Sequence, residues 1–375
     1  MIYLDHNATT PLDERVVEAM LPFLRTGYGN PSALHRLGRL ARDAVEQARA
    51  QVAALVGAHP SQVVFTSGGT EANNLALKGW VQAHPGKTIA VSAIEHASVS
   101  EAADWLEQRG VVVYRLPVDG SGCVRVEGLE ELSARAPLGL VSCMLANNET
   151  GVLQPVAELA QIAQDKGICL HTDAVQAVGR VPVDFQALGV QMLSLSAHKI
   201  YGPKGVGALV VERSLALQPL LHGGGQEFGL RAGTENVAGI VGFGKAAELA
   251  RAELYARAEH LSALRARLEA GLAELPGVVI FGQQAERLPN TVFLGVPGID
   301  GEMLVMALDR EKIACSSGSS CSSGSGQPSP VLLAMGVEPT LAKSAIRVSL
   351  GKDNTETDVA RFLRSLREIV RSFET

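Results

Sequence analysis

Three segments of this 375-residue chain hold residue types suited to one kind of chemistry. In SLSAHKIYGPKG, Lys199 stands between a short apolar run and a Gly/Pro turn. A lysine at a strand end facing a crevice can form a Schiff base with a carbonyl if its pKa is lowered. Alone, it reads equally well as a solvated surface lysine. In HTDAVQAVG, Asp173 follows an apolar run and could hold a ring nitrogen protonated, making that ring an electron sink. A helix N-cap is the plainer account of a lone aspartate. In TSGGTEANNLALKG, the residues Ser67, Gly68, Gly69 and Thr70 lie between a strand and a helix. The glycines permit close backbone approach, and a helix start offers free N–H groups to a phosphate. The spacing is neither the Walker pattern nor the dinucleotide glycine fingerprint, and Thr70 alone could simply cap the helix.

A fourth segment is odd for another reason. Every residue from Cys315 to Gly326 is Cys, Ser or Gly. Such a stretch buries too little apolar surface to order itself and reads first as a linker. A linker has no need of cysteine, which is a liability on an exposed loop.

The elements that must position these residues follow an α/β pattern with a largely parallel sheet. Short apolar runs at 62–66, 88–93, 111–116, 140–145, 169–172, 192–196 and 207–211 read as strands. Amphipathic runs at 14–24, 39–56, 72–84 and 156–166 read as helices. Several strands end directly in polar clusters: TSGGTE, IEHAS, ANNETG, TDAVQ and SAHK. Ligands of open α/β sheets gather beyond the carboxyl ends of the strands, so these distant clusters could line one crevice. A charged helix at 250–275 reads as a connector to a smaller α+β unit, with strands at 290–295 and 346–350 and a terminal helix from Thr355. The expected division is a large α/β domain over 14–257 and a small domain built from 1–13 and 258–375.

Bulk composition narrows the function classes. A net charge of −6, scattered Lys and Arg, and 4% aromatic residues argue against a nucleic-acid surface. No apolar run is long enough to span a bilayer, and the N-terminus lacks the basic and apolar regions of a signal peptide. Five cysteines, an odd number without a secretory signal, fit free thiols in a reducing compartment, and a cytoplasmic location is expected. Cys143 and Cys169 sit in apolar runs and read as core residues, while Cys123 reads as a loop or strand-edge residue.

A candidate phosphate turn, ring-nitrogen acid and Schiff-base lysine thus all occur at expected strand ends, in that chain order. The chain resembles the cysteine desulfurases of the NifS/IscS type, among the fold-type I pyridoxal-phosphate enzymes of aminotransferase class V. The resemblance rests on YLDHNATTP, YGNPSALH, FTSGGTEANNLA, ANNETG, HTDAVQ, SAHKIYGPKG, HGGGQEFGLRAGTENV, SSGSSCSSGS and SAIRVSLG, which run from residue 3 to about residue 351. It implies that Lys199 forms the internal aldimine and moves the substrate Cα proton. It implies that His96 stacks on the cofactor ring, that Asp173 pairs with the pyridine nitrogen, and that Gln176 and Asn148 bracket the phenolic oxygen. Gly69, Thr70, Ser196 and His198 would hold the phosphate. Thr234 would reach the phosphate from a neighbouring subunit, which implies a homodimer. Arg347, with Asn148, would bind the substrate, the arginine as a bidentate fork on the carboxylate.

The resemblance also gives the Ser/Gly stretch a purpose. Sulfur taken from L-cysteine needs a nucleophilic thiolate, and a loop could carry it from the crevice to an acceptor. Cys321 occupies the register of the family nucleophile, and Cys315 reads as structural. The acceptor implied is a protein such as an iron–sulfur scaffold. No stable metal site is expected, although Cys321 could ligate an iron–sulfur cluster in passing. Two departures stand out, Ser320 where alanine is frequent and Gln327 where glutamate is frequent.

Overall fold

The computed structural model describes residues 1–318 and 327–373. Among these, the strands in chain order are β1 (Ile2–Tyr3), β2 (Val63–Thr66), β3 (Thr88–Ser92), β4 (Val113–Leu116), β5 (Leu138–Ser142) and β6 (Cys169–Asp173). They continue as β7 (Met192–Ser196), β8 (Gly207–Val211), β9 (Val279–Ile280), β10 (Thr291–Gly295), β11 (Ile313–Ala314) and β12 (Ala345–Ser349). Seven form the central sheet in the order β2-β8-β7-β6-β5-β3-β4. The pairs among β7, β6, β5, β3 and β4 are parallel, whereas β8 runs antiparallel to both β2 and β7. β5, β7 and β8 are buried along their whole length and β6 from Leu170 onward, as strands between two helical layers should be.

One layer shows how the sequence brings helices close. The helix Val237–Ala252 carries Gly242 and Gly244, where a Cβ would stand 2.6 Å from Met20 Sδ and from Ala48 Cα respectively. Glycine there lets the helices Glu14–Arg25 and Arg36–Leu55 pack directly on it, with Phe243 edge-on to Phe65 of β2. The first helix is capped by Asp13, whose side chain accepts from the Arg15 N–H.

A second apolar core gathers around β9, β10 and β12, an antiparallel sheet ordered β12-β10-β9, and includes Leu261, Leu268, Leu304 and Phe362. The N-terminal residues join this part of the molecule: β1 pairs in parallel with β11, and Asp5 bridges to Ser349. The chain then returns toward the large sheet, where the Thr10 N–H donates to the His198 carbonyl at 3.0 Å. The charged helix expected over 250–275 is two helices, Val237–Ala252 and Leu254–Ala273. The break falls at Glu253, with neither Gly nor Pro to announce it, and its carboxylate binds Arg15 and Arg257. Among the described residues, no helix is long and apolar enough to cross a membrane.

A buried ion pair ties the helical layer to the sheet and to the loop before Val237. Both guanidinium nitrogens of Arg49 reach the Glu227 carboxylate, at 2.7 and 2.8 Å, and Glu227 also accepts from the Phe65 N–H. Replacing Glu227 with Ala leaves the buried Arg49 with only the Val63 carbonyl and the exposed carboxylate of Glu46, 3.1 Å from its Nε. The expected cost is about 3–5 kcal/mol, read as a lowered urea midpoint.

Candidate active site

The parallel strands point their carboxyl ends at one edge of the sheet, and a cavity of about 340 Å³ lies there. It is bounded by Gly69 and Thr70 after β2, His96 after β3, Asn148 after β5, Asp173 and Gln176 after β6, and Ser196, His198 and Lys199 after β7. Nine residues singled out from the sequence are thus brought to one wall-to-wall site. Thr234 and Arg347 do not bound it, and Cys321 lies outside the described residues.

Each wall has a local cause. Thr66 accepts no new strand partner beyond β2 because the chain turns at Ser67 and Gly68 into the helix Gly69–Asn74. The first N–H groups of a helix have no partner within it. A Cβ at Gly69 would stand 2.9 Å from Val175 Cγ2, and one at Gly207 would strike the Gly68 backbone at 2.6 Å. Both glycines therefore let the turn lie flat on the sheet edge. Ser196 Oγ, at the end of β7, is buried with no hydrogen-bond partner among the described residues. Such a group calls for an acceptor or donor from a ligand.

Asp173 closes β6 and is buried. Its Oδ2 accepts from Asn73 Nδ2 at 2.7 Å, and its Oδ1 from the Val175 N–H at 2.9 Å. The residues after it form turns, so it caps no helix. His96 does: it is the N-cap of the helix Ala97–Glu107, with Nδ1 accepting from the Ser98 N–H at 3.1 Å. Burial above all, then Lys199 and Arg347, hold its pKa below the ordinary imidazole value, against the pull of Asp173. The ring is neutral at physiological pH. His198 is pushed down to about 4, chiefly by burial, with Lys199 adding to it.

Lys199 sits in a short turn, Ala197–Lys199, and its ammonium donates to the carbonyls of Asn7 and, at 2.7 Å, Ala8. Burial, then the charges of Arg347 and Arg180, lower its pKa to about 7. A solvated lysine would keep its proton over the whole physiological range. Arg347, on β12 opposite Phe293, is 1% exposed and pairs with Asp5 at 2.7 Å. It also donates to the Asn148 carbonyl at 3.0 Å, and its Nε has no partner among the described residues. Thr234 is exposed on the loop before the helix Val237–Ala252.

Two residues escaped the sequence reading. Asn73 lies one helical turn after Thr70, a spacing that would have put it on the same face. Arg180, buried behind Gln176, carried no signal beyond being four residues along.

Comparison with known proteins identifies the family. The chain matches the class-V aminotransferase family over residues 2–362. It is 45% identical to "Cysteine desulfurase IscS" of Dictyoglomus turgidum, covering 100% of this chain and 95% of that protein. It is 44% identical to "Cysteine desulfurase NifS" of Azotobacter vinelandii, covering 98% and 92%. The solved structure of a NifS-like protein superposes with a TM-score of 0.93 at 41% identity, covering 99% of each chain. The chain belongs to the cysteine desulfurases of the class-V aminotransferase family. These enzymes depend on pyridoxal phosphate, and the fold is that of fold type I.

The cavity fits that cofactor on its own evidence. Its walls bring together an orphaned serine hydroxyl, the start of the helix Gly69–Asn74, a buried carboxylate and a lysine of depressed pKa. The cysteines can be compared in the same terms. Burial pushes Cys169 and Cys315 up to about 12, Cys143 well above its ordinary value and Cys123 upward. None of these four holds a thiolate at neutral pH. On either side of 319–326 the chain is fastened to the site: Ser316 bridges to Arg347, and Ser329 Oγ donates to the buried Glu149.

With the cofactor released by hydroxylamine and then dialysed away, the acylation rate of Lys199 is expected to reach half its maximum near pH 7, against above 10 for surface lysines. The measurement is peptide mass spectrometry across a pH series, and a midpoint near 10 for Lys199 would contradict the electrostatic reading.

Proposed function

We propose that Lys199 carries pyridoxal phosphate, that Cys321 receives the sulfur of L-cysteine as a persulfide, and that L-alanine leaves. The observation that carries this reading is Lys199 itself, a half-buried amine of lowered pKa that bounds one cavity with the phosphate turn and Asp173. One relative of known structure, 34% identical with a TM-score of 0.83, is described as SspA in complex with cysteine, in keeping with cysteine as the substrate here.

The cofactor supplies an electron sink that weakens bonds at the substrate's α and β carbons. Asp173 would hold its ring nitrogen protonated, with Asn73 and the Val175 N–H keeping the carboxylate in place. Gly69, Thr70, Ser196 and His198 would take the phosphate, and Thr234 would add to it from a second copy. Gln176 and Asn148 would flank the phenolic oxygen. His96, neutral and fixed through Nδ1, would lie against the ring and share in proton transfer. Lys199, its pKa lowered to about 7 so that a large fraction is neutral near that pH, would take the proton from the substrate Cα. Arg347 would bind the substrate carboxylate, exchanging its contact with Asp5.

The Cys321 thiolate attacks the substrate sulfur. An S–S bond forms, the Cβ–S bond breaks, and a proton is delivered to Cβ, so one thiol and L-cysteine become one persulfide and L-alanine with no outside oxidant. The four described cysteines, all held as thiols, leave Cys321 as the candidate nucleophile. We infer further a homodimer, supported by the large apolar side chains Tyr28, Leu34 and Phe228 that this chain leaves exposed. An acceptor protein such as an iron–sulfur scaffold, and a cytoplasmic setting, complete the proposal.

Mass spectrometry after incubation with L-cysteine should find the Cys321 peptide one sulfur atom heavier. Cys321→Ala should keep the visible cofactor band and lose sulfur release. A sulfur adduct on Cys315 instead would overturn the assignment.

A further inference from the structure

Arg180 is 6% exposed and has no carboxylate within ion-pair distance among the described residues. Burying a cation without a counter-anion is costly, so such a residue needs compensation from dipoles or from a ligand. Its contacts are all oxygens of neutral groups. One guanidinium nitrogen donates to the Gln176 carbonyl at 2.6 Å and to Gln176 Oε1, and the other donates to the His6 carbonyl at 3.3 Å. Gln176 Nε2 in turn donates to the Asn7 carbonyl at 3.0 Å.

These partners settle which way the Gln176 amide points. A guanidinium has no acceptor, so the atom facing it must be the amide oxygen; a carbonyl has no donor, so the atom facing Asn7 must be the amide nitrogen. Gln176 bounds the cavity, and Arg180 does not. The amide nitrogen carries two hydrogens, and Asn7 takes only one. A positive charge on the amide oxygen draws electron density from the nitrogen and strengthens its remaining N–H as a donor. Arg180 also lies close enough for its charge to contribute to the lowered pKa of Lys199.

We propose that Arg180 is a positioning residue for the reaction, locking the Gln176 amide with an N–H toward the cavity and relaying through it the positive charge that stabilises an anionic ligand oxygen there. This rests on the reading that the cavity holds pyridoxal phosphate, whose phenolic oxygen is such an anion. Arg180 thereby answers the question its burial raises: its counter-charge is the ligand's, one amide away.

The test is the pH titration of the visible cofactor band in the holoenzyme. Arg180→Met should move its midpoint upward by about one pH unit, because a nearby cation favours the deprotonated, anionic form. Arg180→Gln serves equally as a neutral variant if Met is not accommodated. Arg180→Lys should return the midpoint most of the way to the parent value. The double variant Arg180→Met with Gln176→Leu should move it by less than the sum of the two single shifts, as expected if part of the charge acts through the amide. A midpoint unchanged in both neutral variants, or additive shifts in the double variant, would overturn the proposal. Lys199→Ala tests the underlying reading separately: a visible band that survives this change would place the cofactor elsewhere, whatever Arg180 does.

Discussion

The ladder of parallel hydrogen bonds from β7 through β6 and β5 to β3 is what makes a site of this molecule. In that ladder His171 pairs with Met192 and Asp173 with Ser194, which sets the level of Asp173 against Ser196 two residues on. Because neighbouring parallel strands all finish on the same edge, each successive connection must begin there. A one-residue slip would turn Asp173 from one face of the sheet to the other. The sheet is buried on both faces, so the backbone has no partners except those that keep this register.

Electrostatics follow from that placement. Asp173, Lys199, Arg180 and Arg347 are gathered where water is scarce, and each shifts its neighbours more strongly than it would at the surface. Lys199 loses affinity for its proton for two reasons that act in the same direction, burial and the flanking arginines. His96 feels opposing influences, the carboxylate on one side and the cations on the other, and burial settles the outcome in favour of the neutral ring. The N-terminal segment is part of this arrangement: Asn7 and Ala8 satisfy the Lys199 ammonium, while Asn7 also reaches Asn148, Thr291 and Gln176. Residues from opposite ends of the chain thus meet over the cavity.

The second core has its own part. β12 presents Arg347 to the cavity's flank through Asn148, and Ser316 is stitched to that same arginine's backbone by hydrogen bonds of 3.2 and 2.6 Å. The described residues on both sides of 319–326 are therefore tied to the site, Ser316 through its backbone and Ser329 through its side chain. Ser329 caps the next helix by accepting from the Leu332 N–H while donating to Glu149.

What the sequence determined by itself was the chemistry and the strand-end pattern. The runs ending in Asp173, Ser196 and Thr66 are strongly apolar and short, and two strands, 192–196 and 207–211, fall where the pattern puts them. The motifs around Lys199, His96 and Gly69 could be read because each is local: residue type, turn and adjacent strand occur within a dozen positions. Tertiary structure decided what is not local. The antiparallel course of β8, the helix break at Glu253 and the pairing of Arg347 with Asp5 depend on partners hundreds of positions away or on packing that no short window contains. The same holds for Arg180. Nothing in VQAVGR marks it, because its meaning lies in what burial removes: with water gone, a charge must be answered by the few groups the fold places beside it, and only three dimensions show which those are.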